Sequence, residues 1–341
     1  MDRRAFSFLS LGLLVGAFLA SLAYAYLWRN QSSGGPSDKL VLRLAHAMPP
    51  SSPSHLGMEF FAEKVAELSG GKVEVQIFPS GQLGSQVDTI EQLQRGALAM
   101  VKSSTGELEM FADEMTVFGI PYLFADEEHY WRVLNGEIGE EMLQKANDVG
   151  IHGLCYYDAG SRSFYTVNRQ VRTPEDLRGM KIRVMSSPSA IAMVNQFGAS
   201  PTSITFGELY TALQQGMVDG AENNPPSVYD SRHWEIAKYY TLDEHTRLPD
   251  MLIFSQPLWE SLDPQTRQWI DEAAKESVVY QRKVWNDYVQ ECLDKMVDEG
   301  VQIYRPDKEP FKQAVQPIYE QQKGTAIGDL IERIQAVEDP Q

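Results

Sequence analysis

The chain has 341 residues, 43% of them hydrophobic and 23% charged, with a formal net charge of -17. That length and composition exclude a disordered polymer and allow two domains with substantial cores. The acidic balance excludes nucleic acid and anionic membrane surfaces as partners, because the long-range field repels them; an anionic small molecule held by a few local arginines stays allowed.

The first segment, MDRRAFSFLSLGLLVGAFLASLAYAYLWRNQ, stands apart from the fold. Arg3 and Arg4 precede an uncharged apolar run that reaches Trp28, and Ala23-Tyr24-Ala25 fits a signal-peptidase site. The run is also long enough to span a bilayer. Residues 1–25 are therefore either a secretory signal or an uncleaved anchor, and in both cases the rest of the chain is exported. Residues 26–39, which include SSGGPS, read as a linker.

LVLRLAHAMP alternates as a first strand ending near His46. Phe60, Phe61, Val65 and Leu68 then recur at helical spacing until Gly70 and Gly71 stop them. KVEVQIFP alternates again, GSQVDTIEQLQRGAL is a short helix, and AMVKSS is a strand ending in Ser103 and Ser104. The alternation continues through GIHGLCYYD, SFYTVN and MKIRVMS. Strands interleaved with helices predict an α/β fold with largely parallel sheets. Beyond Asp263-Pro264, the positions Ile270, Ala273, Ser277, Val284, Tyr288, Cys292 and Met296 keep helical spacing up to Gly300. A helix of about 35 residues spans roughly 50 Å, more than one domain needs, so it is expected to bridge two lobes. The two cysteines, Cys155 and Cys292, lie in an apolar run and on this helix, and read as buried free thiols.

Nucleophile-elbow, phosphate-loop, dinucleotide, zincin and C-x-x-C motifs are missing, and the six histidines show no metal-ligand spacing. The sequence therefore implies neither cofactor nor metal. What remains is polar residues at strand ends: Arg162 in DAGSRSFYT, Arg183 in GMKIRVMSSP, and Asn223-Asn224 before two prolines. In open α/β sheets, ligands bind just outside the carboxyl ends of strands. Arginine suits a carboxylate because its planar fork donates two parallel hydrogen bonds. Taken singly, Arg183 and Arg162 are ordinary exposed strand residues. Asn223 and Asn224 are turn formers, Phe206 is a core aromatic, and His46 and His245 are structural histidines.

Taken together and in order, the segments are specific. TPEDLRGMKIRVMSSP followed by FGELYTALQQGMVDGAENNP, with FPSGQLGSQVDTIEQLQRGALAM and FGIPYLFADEEHYWRVLNG before them, resembles the extracytoplasmic solute-binding proteins of TRAP (tripartite ATP-independent periplasmic) transporters. The resemblance covers about residues 40–325. It implies a two-lobed periplasmic-binding-protein fold with interwoven lobes that close on an organic acid, here 40–160 plus 248–285 and 161–247 plus 286–330, with 331–341 as a tail. It makes Arg183 the main carboxylate clamp, Arg162 a second contact, Asn223 a ligand contact and Phe206 a packing surface. His245 is expected near the pocket, with His46 and Ser103 or Ser104 facing it from the other lobe. Sialate-binding relatives carry an acidic residue near Ser103, which argues against sialate here. ENNPPSVYDSRHWEIAKYY looks more like hexuronate binders, with Asn224 among the hydrogen-bonding groups. A C4-dicarboxylate is the alternative ligand. The expected partners are a small carboxylate and the membrane subunits of a TRAP transporter. The expected protein is a periplasmic monomer without enzymatic activity, free or tethered by its amino-terminal segment. The rival class is a periplasmic enzyme acting on sugar acids with Glu208, Glu222 or His245 as base; a tethered sensor is a third reading.

Overall fold

A computed structural model describes residues 39–338, so the amino-terminal apolar run and nearly all of the linker lie outside the described residues. No helix among the described residues is long and apolar enough to cross a membrane. The strands are β1 Leu40–Ala45, β2 Val73–Phe78, β3 Met100–Ser104, β4 Ile151–Tyr157, β5 Arg162–Thr166, β6 Lys181–Val184, β7 Ser200–Ser203, β8 Gly220–Asn223, β9 Tyr239–Thr246, β10 Asp250–Ser255 and β11 Gln302–Tyr304. They form two sheets, ordered β2-β1-β3-β10-β4 and β11-β9-β5-β8-β6-β7.

The sheets are mixed rather than largely parallel. β1 runs parallel to β2 and β3, and β6 parallel to β7 and β8, as strand–helix–strand crossovers require. β10 instead runs antiparallel between β3 and β4, and β5 antiparallel between β8 and β9. The reason is the passage between sheets. The chain leaves the first sheet through β4 into β5 and returns through β9 into β10. Asp250 pairs with Tyr157 on one side of the crossing, and Arg162 pairs with Thr246 on the other. An outgoing and a returning strand lying side by side must oppose each other in direction.

The long helix is Pro264–Asp298, with Asp263 as N-cap accepting from the Gln265 and Thr266 amides. It packs on the helix Pro53–Leu68 and β4 in the first lobe, then on the helix Pro225–Asp230 in the second. Its early residues Ile270, Ala273 and Ala274 join the core around Leu44 and Phe61. Its late residues Cys292, Leu293 and Met296 join the core around Tyr165 and Tyr240. Midway, the fully buried Gln281 accepts from the Asp158 amide at 2.8 Å and donates to the Asp158 carbonyl at 2.8 Å. One side chain thus ties the bridging helix to the chain crossing. Gly57 lies against this point, where an added Cβ would sit 2.7 Å from the Gln281 Cβ, so the two helices meet at backbone-level distance.

Cys155 and Cys292 are free and buried in these two different cores. A third apolar cluster joins residues of both sheets, such as Val101 and Ile182, to Phe311, Ile331 and Ile334 from the carboxyl-terminal helices. The last of these helices, Ala326–Gln335, therefore carries core residues into the segment beyond 330.

Candidate ligand-binding site

Arg183 sits one residue before the end of β6 and is 1% exposed. Strand alternation places it on the same face as Lys181. Lys181 is exposed, whereas Arg183, further along the strand, is buried in the cavity it lines with Lys102 and Glu107. Its Nε donates to the Ile204 carbonyl at 2.8 Å, and its guanidinium carbon lies 6.0 Å from the Phe206 ring centroid. Among the described residues, no carboxylate forms an ion pair with it. Burial, and then the positive charge of Arg162, push its pKa down from the ordinary arginine value against the pull of Tyr165 and Glu222. A guanidinium offers five N–H donors; Arg183 is a buried cation with one of them satisfied.

Arg162, at the start of β5, is different. Its Nε and Nη2 grip the carboxylate of Glu222, Nη2 also reaches the Glu222 carbonyl at 2.8 Å, and Nη1 donates to Asn223 Oδ1 at 2.8 Å. Strand pairing builds this arrangement, because β5 lies beside β8, which carries Glu222 and Asn223. Burial disfavours both charges, yet each outweighs the penalty for the other: Arg162 is raised, and Glu222 is held down to about 2. Behind Glu222, His245 Nε2 stands 3.6 Å from its carboxylate, an ion pair too long for a hydrogen bond. Its Nδ1 meets Asp243 Oδ2 at 2.8 Å. Burial pulls the imidazole down, but Asp243 and then Glu222 hold it up at about 9. The chain Asp243–His245–Glu222–Arg162 thus carries two positive and two negative charges. Across the cleft, Lys102 of β3 pairs with Asp250 of β10 at 2.7 Å.

Arg183, Arg162, Asn223, Asn224, Phe206 and Ser104 line one cavity between the lobes, with about 590 Å³ of atom-free space including its open mouth. Asn223 Oδ1 is taken by Arg162 and by the Asn224 amide at 2.9 Å, which leaves its NH₂ to donate. Asn224 caps the helix Pro225–Asp230 by accepting from the Ser227 amide at 2.8 Å, and its NH₂ likewise remains. The cap explains why the turn-forming reading and the site reading of this residue coexist.

The other three sequence candidates stand one layer back. His46 is buried against His55, with Nε2 2.9 Å from His55 Nδ1, and burial, Lys102 and His55 hold it neutral with a pKa of about 2. Ser103 donates to the Ser104 carbonyl at 3.3 Å, on the face of β3 opposite to Ser104. His245 lies behind Glu222 and lines a separate cavity with Tyr122 and Lys312. Among the lining residues that went unread in the sequence are Lys102, Asp250, Glu107 and Trp285. Lys102 shares strand parity with Ser104 and could have been found that way. Glu107 and Trp285 arrive from helices, where no local pattern points to a cavity.

Of the possible bases, Glu222 is committed to Arg162, His245 sits behind it, and Glu208 lines a neighbouring groove while accepting from Thr205 Oγ1 at 2.6 Å. No group of three or more His, Cys, Asp or Glu among the described residues could hold a metal ion. The arrangement can hold one carboxylate and surround it with hydrogen-bonding groups.

Residues 44–325 match the family of bacterial extracellular solute-binding proteins, family 7. Solved structures agree over nearly their whole length. A TRAP periplasmic solute-binding protein of a Bradyrhizobium species, in complex with galacturonate, is 40% identical, with a TM-score of 0.85 over 87% of this chain and 99% of its own. One from Anaerococcus prevotii with bound glucuronate is 38% identical, with a TM-score of 0.85 over 87% of this chain and 97% of its own. One from Sulfurospirillum deleyianum with bound succinate is 32% identical, with a TM-score of 0.84 over 88% of this chain and 99% of its own.

Proposed function

The chain belongs to the family 7 bacterial extracellular solute-binding proteins, and from that premise we propose that it captures a hexuronate, such as glucuronate or galacturonate, for a TRAP-type transporter. The observation that carries the ligand class is the charge balance of the cavity. Arg183 is a buried cation that forms no ion pair among the described residues, although Glu107 lines the same cavity, whereas Arg162 is neutralised by Glu222 and Lys102 by Asp250. One open guanidinium asks for one carboxylate. The rest of the wall offers Asn223, Asn224 and Ser104 to neutral hydroxyls. The galacturonate- and glucuronate-bound neighbours support the same choice.

The carboxylate meets Arg183 first. Closure of the other lobe then excludes water and strengthens each charged hydrogen bond in the lower dielectric. The crossing at 157–162 and 246–250 is the natural hinge, because two short connections there join the sheets. We assign 40–160 plus 248–285 to one moving body and 161–247 plus 286–330 to the other, each built on one sheet. The ligand shifts the equilibrium by binding the closed form better. The closed protein delivers its cargo, unaltered, to membrane subunits from the periplasm, whether free or tethered by its amino-terminal segment.

The second reading, a C4-dicarboxylate in the same role, is favoured by the succinate-bound neighbour. Isothermal calorimetry of the exported chain with glucuronate, galacturonate, succinate and malate tests the choice. Tight binding of a uronate with weak dicarboxylate binding is expected. The reverse order overturns the hexuronate assignment, and chemical conversion of a bound uronate overturns the transport role.

A further inference from the structure

Glu107 lies in the short helix Thr105–Leu108 that succeeds β3, and it is 5% exposed. It lines the clamp cavity together with Arg183, and also a second cavity at the mouth of the cleft, bounded by Gln86, Phe206 and Glu208. Its carboxyl forms no ion pair among the described residues; Ser103 Oγ, at 3.4 Å, is a distant donor to it. The cations around it are Lys102 from β3, Arg162 from β5 and Arg183 from β6. The first two are already paired with Asp250 and Glu222. An acid in this position works against the very charge that Arg183 attracts. Its burial without a charged partner is costly, and a ligand that supplies hydroxyl donors removes that cost.

We propose that Glu107 is the specificity-determining residue of this cavity: it accepts hydrogen bonds from hydroxyls of an acid already gripped by Arg183, and its negative charge turns away a second carboxylate. The inference rests on the proposed binding of a sugar acid. It narrows the ligand class to polyhydroxylated monocarboxylates and explains how the same clamp is kept from C4-dicarboxylates. Burial raises the carboxyl to about 7 although Arg183 and Lys102 oppose this, so its charge is adjustable near neutrality.

Glu107→Gln keeps the shape and an acceptor oxygen but removes the charge, and Glu107→Asp keeps the charge. Calorimetry at pH 8 with galacturonate, glucuronate and succinate reads the ratio of uronate to succinate affinity. In Glu107→Gln the succinate affinity is expected to rise about tenfold or more, because a like-charge contact is gone, and uronate affinity to fall by less than that. Glu107→Asp is expected to keep excluding succinate. An unchanged ratio in Glu107→Gln, or the same ratio in both variants, overturns the proposal. A wild-type protein that prefers succinate overturns the parent reading as well, so the two failures are distinguishable. Should a variant not fold, the wild-type ratio between pH 8.5 and 6.5 carries the test. The groups facing Glu107 over that range are Lys102, Arg162, Arg183 and Asp250, with Asp88 and Glu208 across the mouth. Protonation is expected to lower the ratio toward pH 6.5, and a constant ratio counts against the proposal.

Discussion

Arg183 and Arg162 are both buried arginines of one cavity, yet replacing each by methionine is expected to move stability in opposite directions. Arg183→Met removes a buried cation that lacks a carboxylate. It gives up one hydrogen bond, to Ile204, of about 1 kcal/mol, and a guanidinium–ring contact of about 0.5 kcal/mol. It also removes a desolvation penalty of several kcal/mol. The unliganded protein should be unchanged or stabilised by up to about 2 kcal/mol. Arg162→Met leaves Glu222, 1% exposed, as an uncompensated charge. That costs about 3–5 kcal/mol. At roughly 2 cal/mol/K of unfolding entropy per residue over some 300 residues, a loss of about 4 kcal/mol lowers Tm by about 6 °C. Binding divides them differently. Arg183→Met should lose about 4 kcal/mol of uronate affinity, near a thousandfold in Kd. Calorimetric melts of both variants, with and without galacturonate, measure all four quantities. A fall in Tm for Arg183→Met as large as that for Arg162→Met, or a preserved ligand-induced shift, refutes the division into an open clamp and a neutralised neighbour.

The same geometry sets three other expectations. His245 has a folded pKa of about 9 against 6.5 unfolded. Its stabilisation is therefore fully present below pH 6.5 and lost as pH rises through 9; wild-type Tm should decline from pH 7 to 9.5, His245→Asn should flatten that decline, and a flat wild-type curve counts against it. Asn224→Ser keeps a cap for the helix Pro225–Asp230 but withdraws the amide from the cavity, so Tm should move by less than about 2 °C while uronate affinity falls roughly fivefold. Equal affinity would show that Asn224 serves the helix alone. Gly57→Ala places a methyl 2.7 Å from the Gln281 Cβ, and overpacking there should cost about 2 kcal/mol in a denaturant melt; a neutral result would mean the helices can part at the crossing.

Much of the architecture was readable because local rules dictate it. Alternation in LVLRLA and KVEVQIF marks strands that bury one face, and the bridging helix is announced by Asp263-Pro264 at its start and Gly300 after its end. Length alone made that helix a bridge. The antiparallel placement of β5 and β10 was not readable, because it comes from chain reversal at the crossing and not from any pattern within those strands. For the site, residue type and position at strand ends singled out Arg183, Arg162 and Asn223. The family resemblance also brought in Ser103, His46 and His245, which lie at the ends of β3, β1 and β9 but stand behind the lining residues.

By itself the sequence determined the elements, their caps and the residue types able to hold an acid, since each depends on neighbours a few positions away, and the two-lobed class followed from the length of the bridging helix and the family resemblance of its motif order. The tertiary structure alone decided which charges cancel. Arg162 meets Glu222 sixty residues on, Lys102 meets Asp250 on the neighbouring strand of its own sheet 148 residues on, and Arg183 is left open beside Glu107. Electrostatic energy depends on distance and burial rather than on spacing along the chain, so two arginines that look alike in sequence do opposite things in the fold.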